Sequence, residues 1–171
     1  MKRRTAIKQL LIVAGGLVLV PSCLSESGKA SIRLTNLDIS ASDEDLLAAL
    51  VETIIPETDS PGAKSLNLHL FVLKMIDDCH SEADQQAFVS GLRDWDQEAR
   101  KALGKAYEKA TGSDQIAFME AVNGDRGHPL SGFFGLVKRR TIQGYLNSQY
   151  VMTHELVYEL APGRYDGYAP A

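Results

Sequence analysis

The sequence predicts an all-α fold, a single-domain bundle of about five helices ending in an irregular C-terminal tail, carried behind an export leader. Three observations point there. Apolar residues recur at helical spacing through most of residues 42–150. Capping residues and Pro/Gly punctuation divide those stretches at short intervals. One apolar run breaks the pattern: Leu10 to Val20, behind Lys2, Arg3, Arg4 and Lys8 and ahead of small residues. That is the three-part grammar of a cleaved signal peptide, and the run is too short to cross a ~30 Å hydrocarbon core as a helix.

The leader carries two addresses. Arg3-Arg4-Thr5-Ala6-Ile7-Lys8 resembles a twin-arginine export signal, a receptor-read motif whose pathway carries folded proteins. Lys2 stands where such signals usually have Ser or Thr, and Ala6 where they usually have Phe, so the general secretory route stays open. Val20-Pro21-Ser22-Cys23 resembles a bacterial lipobox, in which the Cys23 thiol takes a diacylglycerol and becomes the new N-terminus. One acyl chain anchors only marginally, so a multiply acylated cysteine is required for stable attachment. An ordinary signal with a chance cysteine at its end is the competing reading. The expected organisation is residues 1–22 as signal peptide, 23–41 as a flexible Ser-rich tether and 42–171 as the helical domain. Ile32-Arg33-Leu34 alternates in a way that fits a brief strand.

In the domain, Ser42 with Asp43, Glu44 and Asp45 suits a helix start, followed by Leu46, Leu47, Leu50, Val51, Ile54 and Ile55 and halted by Pro56. A second helix is expected over 63–78, with Leu66, Leu70, Leu73 and Ile76 inward. Ser81 with Asp84 caps a third, to about Thr111, whose stripe is Phe88, Leu92, Trp95, Ala99, Ala102 and Tyr107. A short fourth helix opens at Gly112-Ser113-Asp114, uses Ile116, Met119 and Val122, and closes at Asn123-Gly124. The fifth spans about 130–150 with Phe133, Phe134, Val137, Ile142 and Tyr145.

Composition narrows function. Removing residues 1–22 strips four cations and no acid, so the formal charge moves from −4 to −8. A body that acidic does not suit a nucleic-acid partner. A domain of this length buries roughly 70% of its unfolded surface and needs no disulfide framework. With Cys23 acylated, Cys79 is the one thiol left, expected as a small buried hydrophobe. No dinucleotide fingerprint, phosphate loop, haem-attachment motif or Glu-x-x-His pair is present. Asp77 and His80 are spaced to share a helix face as metal ligands, but His80 at a helix end reads better as a cation complementing the dipole. His128 and His154 read as solvated. No catalytic residue, metal ligand or cofactor site is assigned to this chain.

Two segments are conformationally committed. Ile54 to Ala63 places Pro56, Pro61 and Gly62 around the turn formers Thr58, Asp59 and Ser60, a sharp connector. Tyr158 to Tyr168 is dense in tyrosine and includes Pro162, Gly163, Arg164 and Tyr165, side chains that serve either a partner or their own bundle. The connector, together with Thr141-x-x-Gly144-Tyr145-x-x-Ser148 and the ending Pro162-Gly163-x-Tyr165-x-Gly167, resembles the gluconate 2-dehydrogenase subunit 3 family over roughly residues 42–170. The resemblance implies a non-catalytic small subunit of an exported, membrane-associated sugar or sugar-acid dehydrogenase. Its large partner would be a flavoprotein of the glucose–methanol–choline type that holds FAD, with a cytochrome c subunit as a further candidate. This chain would escort the flavoprotein through export and tether it, through Cys23, on the periplasmic side of the bacterial envelope. Partner contacts are expected at Pro56, Thr58, Asp59, Pro61, Gly62, Tyr145, Pro162, Gly163, Arg164 and Tyr165. The alternative is a stand-alone helical envelope lipoprotein that binds a ligand or protein partner.

Overall fold

Ser40, two residues ahead of the expected cap, starts the first helix. Its hydroxyl accepts from the Asp43 N–H at 3.2 Å, and the Asp43 carboxylate accepts from the Ser40 N–H at 3.0 Å. This reciprocal pair satisfies two helix-start donors that Ser42 would leave bare. The computed structural model describes residues 28–156 and residue 158. The leader and lipobox positions Arg3, Arg4, Lys8 and Cys23, and the tail positions Pro162, Gly163, Arg164 and Tyr165, lie outside the described residues.

Among the described residues five α-helices follow in order: α1 (Ala41–Ile54), α2 (Leu68–Cys79), α3 (Glu82–Leu103), α4 (Gly112–Gly124) and α5 (Ser131–Leu146). The all-α bundle expected from sequence is what forms. α1 is central and packs on each of the other four helices. Trp95 of α3 is fully buried, stacked on Phe134 at 5.6 Å and edge-on to Phe118 at 5.1 Å and Tyr107 at 5.6 Å. Such pairs add to simple area burial.

Helix ends differ from expectation for local reasons. Residues 63–67 form turns rather than the first turn of α2, with the Leu66 N–H bonded to the Gly62 carbonyl and the Asn67 N–H to that of Lys64. Asn67, at φ 54°, holds the left-handed conformation that asparagine tolerates better than most residues. α3 stops at Gly104, φ 69°, where the cap N–H returns to the Arg100 carbonyl, instead of running to Thr111. A 3-10 turn, Tyr107–Lys109, then delivers Tyr107 to the core. Its hydroxyl donates to Thr53 Oγ1 at 3.1 Å, and burial pushes its pKa up to about 12. α5 ends at Leu146, short of the expected end near residue 150, and a π-turn, Val151–Glu155, follows beyond it.

Some side chains also depart from the stripes. Ala102 lies outside the core, and Ile116 and Ile142 are exposed. Cys79, expected buried, is exposed because α2 ends there, one turn past buried Ile76.

The largest departure is N-terminal. Residues 28–40, expected to belong to a flexible tether, fold back on the bundle as a strap. The Ala30 N–H bonds the Ile39 carbonyl at 3.1 Å, and Gly28 accepts from the Ala41 N–H at 3.0 Å. Leu37 and Ile39 enter the core. The bridge pairs Lys29 with Ser40, and Ile32-Arg33-Leu34 forms no strand. Asp77 fastens the strap: its buried carboxylate accepts the N–H groups of Thr35, Asn36 and Leu37 at 2.9, 2.7 and 3.0 Å. Burial alone would raise its pKa, but the three donors hold it below the usual carboxylate range.

Candidate functional site

The connector between α1 and α2 is built from α1 outward. Glu52, in the last turn of α1, accepts the Glu57 N–H at 2.9 Å on one carboxylate oxygen and the Lys64 N–H at 2.7 Å on the other. The two bonds bracket residues 57–64 into one loop. The Ala63 N–H closes its base on the Ile55 carbonyl at 2.8 Å, and Thr58 bonds the Ser60 carbonyl at 3.1 Å. Gly62 has no room for a side chain: an added Cβ would stand 2.5 Å from Glu52 Oε1 and 2.6 Å from the Glu57 nitrogen. Pro56 and Pro61 restrict φ at either side.

α5 meets this loop from across the bundle. Tyr145 donates its hydroxyl to Ser60 Oγ at 3.3 Å, joining residues 85 apart in sequence. The flanking residues explain the Thr141…Ser148 pattern. Thr141 is buried and bonds back to the Val137 carbonyl at 2.8 Å. Gly144 lets α5 approach α2, since a Cβ there would lie 2.7 Å from Phe71 Cδ1. Ser148 Oγ accepts from the Val151 N–H at 3.3 Å, shaping the turn after α5.

The expected partner residues therefore divide. Gly62 and Tyr145 are internal fittings, Pro61 is half-buried, and Pro56, Thr58 and Asp59 stand exposed on the loop. Pro162, Gly163, Arg164 and Tyr165 lie outside the described residues. Sequence reasoning missed the apolar residues that α5 leaves uncovered on one face, Ile142 (40%) and Leu146 (54%), with Leu156 and Tyr158 exposed beyond them. Their i, i+4 spacing places them together on one helix face, but Ile142 also fits an inward stripe, so spacing alone does not mark them as exposed.

Elsewhere the polar clusters are internal. Asp77 spends both oxygens on backbone donors, and His80 Nε2 lies 3.1 Å from Arg140 Nη2, where it accepts because a guanidinium only donates. His128 is half-buried rather than solvated, with Nδ1 accepting from the Leu130 N–H at 3.2 Å. His69 faces Glu44 at 3.8 Å; burial lowers its pKa, and the weaker pull of Glu44 does not restore it. Among the described residues no three His, Cys, Asp or Glu side chains gather as a metal-ligand set, and no helix is long and apolar enough to cross a membrane. An open groove of ≈ 790 Å³ runs between α3 and α5 over Phe88 and Phe133, edged by Asp84, Asp94, His128 and Arg139.

The candidate site is therefore a loop braced by α1 and α5, on an all-helical bundle. The family is specific. The profile of the family described as Gluconate 2-dehydrogenase subunit 3 matches residues 41–163, and the chain belongs to that family. It is thus an accessory subunit of a dehydrogenase complex. No curated protein and no solved structure matches the chain.

Proposed function

We propose that this chain is the non-catalytic small subunit of an exported, membrane-associated, FAD-dependent sugar or sugar-acid dehydrogenase. It binds the folded flavoprotein, escorts it through export and tethers it to a membrane through lipidated Cys23. The observation that carries this reading is the connector: a loop held by Glu52, Gly62 and Tyr145 that presents Pro56, Thr58 and Asp59 outward. A loop fixed in advance loses little conformational freedom when a partner seats on it. Ile142 and Leu146, in the stretch of α5 that carries Tyr145, offer apolar area to the same partner. Flavin chemistry belongs to the large subunit, and this chain supplies contact surface and address.

The test is co-expression with a flavin dehydrogenase whose gene adjoins this one and lacks a signal. The isolated chain should show no flavin absorbance and no sugar oxidation, and the pair should co-purify at a fixed ratio. Double substitution of Thr58 and Asp59 by alanine should weaken association by about 1–2 kcal/mol if the loop holds a hot spot, with the melting of the isolated chain unchanged. A chain that stays monomeric beside the flavoprotein would favour the alternative, a stand-alone lipoprotein using the α3–α5 groove.

A further inference from the structure

We propose that the strap seats the body directly on the bilayer with the N-terminal end of α1 nearest the lipid and the Pro56–Gly62 connector at the far, aqueous end; this rests on the lipid-anchored reading of Cys23. The chain joins the body at Gly28, whose carbonyl is bonded to the Ala41 N–H at the very start of α1. From Cys23 to Gly28 is five residue steps, a covalent reach of at most ~18 Å. Were residues 28–40 a free tether, they would add up to ~45 Å and leave the body's orientation open. They are not free. Asp77 takes three consecutive backbone N–H groups, Asn36 Nδ2 donates to the Asp77 carbonyl at 2.8 Å, and Leu37 and Ile39 are in the core. Ser31 adds two bonds to Glu44 in the first turn of α1, each at 2.6 Å.

The connector begins where α1 ends. The helix has 14 residues, so about 21 Å separates the lipid-proximal end from the connector. A tether this short, joined at one end of the body, holds that end within about 18 Å of the lipid, whereas the connector end is free to stand about 21 Å farther out. A partner seated on the connector is then held on the far side of the bundle from the lipid. The small subunit acts as a spacer of defined height, and Asp77 is the clasp that sets it.

The experiment uses the full, lipidated chain in vesicles of phosphatidylethanolamine and phosphatidylglycerol carrying an acceptor dye on the headgroup. Exposed Cys79 is first changed to Ser, and a donor dye is placed through Asp38→Cys in the strap or Asp59→Cys in the connector, both exposed positions. The roughly 20 Å offset should make transfer from position 38 about two-fold or more that from position 59. A Gly/Ser linker of about twelve residues inserted between Ser27 and Gly28 should lower transfer from both and erase the difference. Asp77→Ala should do the same by releasing the strap; if that variant does not fold, the linker variant carries the test. Equal transfer from the two positions in the vesicle-bound parent, or no response to the linker, would overturn the inference. A parent chain that does not bind vesicles, or a Cys23→Ser chain that binds them equally well, would instead defeat the lipid-anchored reading beneath it.

Discussion

The strap and the connector solve one problem in two ways. Each is a non-helical segment gathered onto the bundle chiefly by one carboxylate that accepts several backbone N–H groups. Asp77 takes three on the strap and Glu52 two on the connector. Asp77 is 1% exposed and shares its work with Leu37 and Ile39, so removing it leaves the buried Leu37 N–H without its acceptor. Glu52 is half-buried and its bonds face solvent, where water can replace them. The connector draws its stiffness instead from the fixed φ of Pro56 and Pro61 and from the close approach of Glu52 and the Glu57 backbone at Gly62. The strap's fastening is buried; that of the connector, the proposed partner surface, is shallow.

Asp77→Ala should be the most damaging substitution, costing about 2–4 kcal/mol in chemical denaturation because three N–H groups lose a charged acceptor. Proteolysis within residues 28–40 of that variant, with α1 to α5 intact, would show that the strap peels as a unit. Gly62→Ala should cost about 1–3 kcal/mol, since the new Cβ meets the Glu57 backbone nitrogen, which cannot swing away as a side chain can. Glu52→Ala should cost less, about 1 kcal/mol, and loosen the connector without exposing the core. If Glu52→Ala proved as harmful as Asp77→Ala, the contrast between buried and shallow fastening would fail.

Acid should act on the strap side of the bundle, in two steps. Asp77 has a lowered pKa in the folded chain, so its contribution is present above the ordinary carboxylate value of 3.8 and is lost as pH falls through the folded value. His69 is also lowered, by burial. Its contribution is complete above 6.5 and declines as acidification protonates the unfolded chain first. Stability should therefore fall in a shallow step below pH 6.5, removed by His69→Gln, and a later step below 3.8, removed by Asp77→Asn.

The sequence made the connector legible because its causes are local: two prolines and a glycine act within ten residues. The Ser81 cap and the aromatic stripe through Trp95 were legible for the same reason. The strap was not, since a Ser-rich stretch gives no local sign that a carboxylate some forty residues later will take its backbone donors. The early end of α3 was marked in the chain by Leu103-Gly104, but the buried Tyr107 beyond it lengthened the apparent stripe. Within the candidate site, Tyr145 was expected to meet a partner, and its brace on Ser60 was not legible because it joins residues 85 apart. The exposed pair Ile142 and Leu146 was hidden because periodicity assigns apolar residues inward and cannot show which face a neighbour leaves uncovered.

Hydrogen exchange of the chain alone and saturated with its flavoprotein partner tests the central claim most directly. Partner binding should slow exchange in residues 55–62 and in the second half of α5, around Ile142 and Leu146. Exchange in the strap at residues 30–40 should be unchanged. Protection in the strap or along the α3–α5 groove, with the connector exchanging as before, would contradict the account.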